Sequence, residues 1–245
     1  MIDRDGELWH WQGQRLICRL LEGIPHGFGS ALSYPARPPQ LAQQWWQGQR
    51  AVWAEQVHGD HLREAGDPQL QADALYTCTP GTSVWVSTAD CVPVLLAGPG
   101  VVAAIHAGWR GTAAQITAKV IRHLSRDLGI APHRWVVAIG PCITAPAYQV
   151  SQAVAEQVAA TLPVSYAEQV VLPDPQPDKA RLDLALANAY QALAAGATTI
   201  AISPHCTYQE PERFFSYRRL GSLRDGDRPS YLQWSGIALP GSPAA

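Results

Sequence analysis

The sequence is poor in charge. Charged residues make up 16% of its 245 residues, against about 25% in a typical soluble domain. The formal net charge is −2 and no basic run is present. A nucleic-acid partner needs a basic face to neutralise phosphates, so none is expected. Long apolar runs are missing too. The longest, Val92 to Ile105, is interrupted by Gly98-Pro99-Gly100 and is too short to span a bilayer, so no membrane partner is expected. The opening MIDRDGELWHW is acidic and lacks the apolar stretch of a secretory signal. Cysteine is scarce and odd in number: Cys18, Cys78, Cys91, Cys142 and Cys206 show no disulfide-framework spacing. Reduced thiols in a cytoplasmic protein are the natural reading. Neither CxxC nor HExxH occurs, so no ready-made metal motif stands out.

Apolar residues make up 47% of the chain, which excludes a disordered polymer. The length points to one domain spanning residues 1–245. A chain of this size buries roughly 70–75% of its unfolded surface and needs no metal as a staple. A bound metal would therefore be a working part.

Several segments declare their structure. RLICRL, AVWAEQVH and SVWVST read as strands. Gly23 to Pro39 is rich in glycine, proline and serine and reads as loop. VPVLLA and VVAAIH, joined by Gly98-Pro99-Gly100, predict a buried hairpin. A helix is expected from a Thr112 cap to about Leu128, stopped by Gly129. WVVAIGP and TTIAIS read as strands, and Ser151–Ala160 and Leu182–Ala195 as helices. Val171 to Asp178 carries three prolines and reads as irregular. Without strict βαβ alternation, the expected fold is an α/β (α+β) sandwich of mixed β-sheets flanked by helices rather than a Rossmann fold.

His58, Cys91 and His106 each fall at an expected strand end, in QVHG, ADCVP and HAGWRG. Two imidazoles, one thiolate and a water form the open ligand set of a catalytic zinc, whose bound water ionises near neutral pH. The same atoms support a second reading, with Cys91 as nucleophile and His106 as its base. The residues alone leave both open. Arg110, beside the expected helix start, is a candidate anion or phosphate site. Asp73 and Asp90 are candidate acid–base groups or orienters of a ligand histidine. In RFFSYRR, Phe214, Phe215 or Tyr217 could stack on a base, and Arg218 or Arg219 could hold an anion. His61 is the residue most easily mistaken for His58. Cys142 and Cys206 read as buried thiols.

The ordered series QVHG, ADxL, TADCVPVLL, HAGWRG, GPxI…YQV and CTYxxPxRFFSYRR, over about residues 52–234, resembles the YfiH family. That family is also called the multicopper polyphenol oxidase, laccase-domain or peptidoglycan editing factor family. The resemblance implies a compact α/β sandwich that binds zinc through His58, Cys91 and His106. It implies phosphorolysis of purine nucleosides (adenosine, inosine, guanosine, methylthioadenosine) or deamination of adenosine, with phosphate as co-substrate of the first. Other activities attached to the family are copper-dependent oxidation of phenols, quality control of peptidoglycan precursors, and Cys-His hydrolysis. One His–Cys–His set cannot supply a multicopper cluster, though copper(II) could displace zinc from N/S ligands in vitro. The chain departs from the family where PHGF runs straight into GSALSYPARPP, without the usual Thr-Arg or a later LNLG.

Overall fold

The computed structural model describes residues 2–67, 71–221 and 231–241. They form four layers. The central layer is a seven-stranded mixed sheet in the order Ile2–Asp3, Thr199–Ile202, Val136–Ile139, Val92–Gly98, Val101–Ala107, Ala74–Thr77, Leu62–Glu64. Its middle strands are buried on both faces, which is why VPVLLA and VVAAIH read as continuous apolar runs rather than alternations. Val94, Leu96, Ala103 and Ile105 pack towards helices Ile116–Leu128 and Leu184–Ala194. Their neighbours Leu95, Ala97, Val102 and Ala104 face a second sheet through Leu16, Phe28, Val84, Val86 and Ile237. This six-stranded sheet runs Trp9–Gln12, Arg15–Cys18, His26–Gly29, Gln233–Ala238, Thr82–Thr88, Arg50–Trp53. Helix Pro38–Trp46 closes its outer face, with Leu41 and Ala42 against Trp85 and Trp234. A separate small sheet (Gln149–Ser151, Lys179–Leu182, Val171–Pro173) joins the helix-side core through Val150, Ala180 and Leu182. The sandwich of mixed sheets flanked by helices is thus the observed architecture.

Four local expectations need correction. The segment Gly23–Pro39 is not all loop, because His26–Gly29 is a buried inner strand. Its glycines are there for space: a Cβ on Gly29 would sit 2.6 Å from the Trp234 carbonyl oxygen. Val171–Pro173 is a strand, and Pro173 is tolerated because that strand lies at an edge. The helix expected from Thr112 to Leu128 is two pieces, Trp109–Ala113 and Ile116–Leu128, separated at Gln115 with φ of 59°. Thr112 does not cap; it is buried, its hydroxyl accepts from Asn188 Nδ2 at 2.9 Å, and its carbonyl accepts from Gln191 Nε2 at 2.8 Å. Leu182 ends a strand, and Asp183 starts the next helix by accepting from the Leu186 amide at 2.9 Å. Gly129 does stop its helix, with φ of 66°.

His26 ties the buried strand to its neighbours. Its Nε2 accepts from the Cys18 amide at 2.9 Å, so its Nδ1–H donates to the Ile24 carbonyl at 2.7 Å. Burial, only partly opposed by the Ile24 bond, lowers its pKa to about 4. A histidine lowered in the folded state stabilises fully above its ordinary pKa of about 6.5 and loses that contribution as pH falls towards 4. Stability should therefore drop by about 1.4 kcal/mol per pH unit over that window. Urea titrations of wild type and His26→Gln across this range check it: the variant should lose that share of the slope.

Candidate metal centre

The hairpin builds half of the site. His106 pairs with Pro93 and Ala107 with Val92, so Cys91, one residue before Val92, lies at the same end as His106. His58 arrives from the second sheet. It stands in the loop after strand Arg50–Trp53, not at the strand's end as expected, and has a left-handed φ of 58°. One ligand-capable atom from each of His58, Cys91 and His106 lies within 4.8 Å of the others. The two imidazole rings stand 4.7 Å apart and nearly perpendicular at 89°. His61 is not in this cluster; its carbonyl accepts from the Asp73 amide at 3.1 Å.

Asp73 fixes this geometry. It is fully buried, and its Oδ1 accepts from the His58 amide and His106 Nδ1, each at 2.9 Å. Its Oδ2 accepts from the Gly59 amide at 2.7 Å. With Nδ1–H engaged, His106 turns Nε2 towards Cys91. Burial would push the Cys91 thiol up, but the bonds and charges of His106 and His58 outweigh it and bring the pKa to about 6. Burial likewise opposes charge on His106, yet Asp73 and Cys91 raise it to about 9.

The donor set suits a metal. Two imidazole nitrogens and a thiolate sulfur within 4.8 Å of one another match the nitrogen and sulfur ligands that zinc takes. Gly108 leaves the room: a Cβ there would stand 3.1 Å from Cys91 Sγ and 3.4 Å from a His58 ring carbon.

The cluster opens into a cleft of about 1010 Å³. Trp53 and Tyr217 line it, 44% and 55% exposed, and Arg37, Arg110, Tyr148 and Arg218 join them. Arg110 lies over the Trp109 ring at 4.4 Å within a helix of five residues, too short for the helix-end field expected there. Of RFFSYRR, Tyr217 and Arg218 reach the cleft. Phe214 is buried against Trp11, and Phe215 stacks on Tyr231. Arg219 donates to the carbonyls of Thr207, Tyr208 and Phe214. Asp90 borders the cleft, and its carboxylate accepts from Thr207 Oγ1 at 2.6 Å, Ser216 Oγ at 3.0 Å and the Arg218 amide at 2.7 Å. Cys142 and Cys206 are buried free thiols. Arg37 and Trp53 escaped sequence reasoning because only the fold brings them here; Thr88 opens the TADCVPVLL series, but nothing in its chemistry singles it out before the fold is known.

This arrangement of two mixed sheets flanked by helices is found in solved structures over nearly the whole chain. YlmD of Geobacillus stearothermophilus superposes with a TM-score of 0.81 at 27% identity, over 95% of this chain and 99% of that one. The YfiH protein of Bacillus licheniformis gives 0.84 at 25% identity, over 95% and 99%. Residues 38–230 match the family model described as multi-copper polyphenol oxidoreductase laccase, and the chain belongs to that family. It is 38% identical to a purine nucleoside phosphorylase of Synechocystis, over 94% of this chain and 97% of the relative. It is also 39% identical to the adenosine deaminase RL5 of an unknown prokaryotic organism, over 61% and 57%.

Proposed function

We propose that this chain is a cytoplasmic, zinc-dependent enzyme of purine nucleosides, carrying out phosphorolysis, deamination of adenosine, or both. The carrying observation is the His58–Cys91–His106 cluster, braced by Asp73 at the base of a cleft with an aromatic and guanidinium wall. The names of the relatives from Synechocystis and the unknown prokaryote support this substrate class. The five free thiols suit a reducing compartment. No helix among the described residues is long and apolar enough to cross a membrane.

Zinc held by His58, Cys91 and His106 would supply Lewis-acid polarisation and water activation near neutral pH. Asp73 orients His106 and pins the His58 loop. Trp53 and Tyr217 offer faces for a purine ring. Arg110 and Arg218, which line the cleft, would be the groups to bind the phosphate of phosphorolysis. The Asp90 carboxylate is engaged by Thr207, Ser216 and the Arg218 amide, so we assign it to positioning Arg218 rather than to the acid–base role considered from sequence. A second reading, thiol hydrolysis, draws on one observation: the Asp73–His106–Cys91 row with its lowered thiol pKa has the parts of an activated nucleophile.

The test is to purify the protein without added metal, measure zinc and copper, and incubate the same sample with adenosine and phosphate. About one zinc per chain with adenine formed means phosphorolysis; zinc with inosine formed means deamination. Stoichiometric copper would overturn the zinc assignment in favour of phenol oxidation, and absence of both nucleoside products would overturn the substrate class.

A further inference from the structure

Thr88 is the last residue of strand Thr82–Thr88, three residues before Cys91, and it lines the same cleft. It is only 2% exposed, yet its hydroxyl has no hydrogen-bond partner among the described residues. A buried hydroxyl left unmade costs stability, so such groups are rare and call for an explanation. Polar groups near it in the chain and across the ladder are committed elsewhere. Gln233, directly across the ladder, spends its amide on the backbone N–H and carbonyl of Phe215. Ser87 and Gln56 bond one another through Ser87 N, Oγ and O. The Asp90 carboxylate is taken by Thr207, Ser216 and Arg218. The fold thus keeps, in a residue that lines the cleft holding the ligand cluster, a buried hydroxyl that it does not use internally.

We propose that Thr88 is a substrate-binding residue whose hydroxyl hydrogen-bonds a polar atom of the bound nucleoside. The assignment rests on the nucleoside reading above and adds a specificity contact to it. An otherwise unpartnered group gains most when a ligand satisfies it, and it rejects ligands that cannot. It also sacrifices stability in the free protein for binding, as sites often do.

Thr88→Val keeps the branched shape suited to a strand and replaces the hydroxyl with a methyl group. Inosine in phosphate-free buffer is the probe, because neither phosphorolysis nor deamination can consume it. Calorimetric titration should show Thr88→Val binding inosine about ten- to a hundredfold more weakly than wild type. Its metal content should match wild type and its Tm should be equal or higher, while Thr88→Ser should restore affinity. Unchanged affinity in Thr88→Val, beside a wild type that binds, overturns the Thr88 assignment alone. A Tm lowered by several degrees also overturns it, because the hydroxyl would then be holding the fold. A wild type that binds no inosine sinks the nucleoside reading and this contact with it.

Discussion

Cys91→Ala is expected to lose both its metal and its turnover of nucleosides while remaining folded. With an apparent zinc-binding energy of about 10 kcal/mol shared by three ligands, removing the thiolate costs about 3 kcal/mol, or roughly a hundredfold in affinity. The fold should survive because the residue is only partly buried at the mouth of the hairpin, and the strands beside it bury their own apolar side chains. The same residue separates the two chemistries. In metal-stripped wild type the thiol, with its pKa of about 6, is largely thiolate at neutral pH and should react readily with iodoacetamide. Restoring one equivalent of zinc should suppress that reaction and restore turnover together. If alkylation proceeds with metal bound, or if activity survives chelation and the Cys91→Ala change leaves metal content intact, the zinc assignment fails and the thiol-hydrolase reading gains.

Much of the fold was readable because burial on both faces leaves a plain signature. VPVLLA and VVAAIH are apolar at nearly every position, and they became the central hairpin of the seven-stranded sheet. The errors share one cause: long-range packing overrode local preference. HGFG looks like a loop, yet two glycines let the strand slide under the Trp45 ring and the Trp234 backbone. The apolar face of Ile116–Leu128 continues towards Thr112, but Asn188 and Gln191 hold Thr112 in a separate short helix. Neither contact is visible at the spacing of a helical turn.

The site divides along the same line. His58, Cys91 and His106 stood out because residue types capable of ligation recur beside turn formers, and the hairpin register made Cys91 and His106 neighbours. His58 could be separated from His61 only by the motif resemblance, since nothing in the spacing says which ring turns inward. Arg37, from the segment where the chain departs from its family, reaches the cleft with its guanidinium over the Trp234 ring at 5.9 Å. Arg218 arrives from near the other end of the chain, held by its bond to the Gln149 carbonyl at 2.9 Å. RFFSYRR marks Arg218 and Arg219 alike, and only the topology decides that Arg218 enters the cleft while Arg219 bonds backbone carbonyls.

Asp73 carries the second large expected effect. Its carboxylate is the meeting point of three donors from two segments: the His58 and Gly59 amides and the His106 ring. Asp73→Ala leaves all three without their acceptor in a buried setting. The loss should be about 3–5 kcal/mol of stability, the usual result of removing one partner from a buried pair, together with about ten- to a hundredfold in metal affinity. A change this large could act through the fold alone, so Asp73→Asn makes the sharper test. The amide keeps an oxygen for one backbone donor but no longer supplies the negative charge that raises His106. With that charge gone, the His106 pKa should fall from about 9 towards its ordinary value. An imidazole that is neutral at pH 7 no longer holds the Cys91 thiolate, so the thiol pKa should climb from about 6. In metal-stripped protein the midpoint of iodoacetamide reactivity against pH should therefore move upward in Asp73→Asn. A midpoint that stays near 6 in a folded variant would show that Asp73 only braces the loop and has no electrostatic hold on the His106–Cys91 pair.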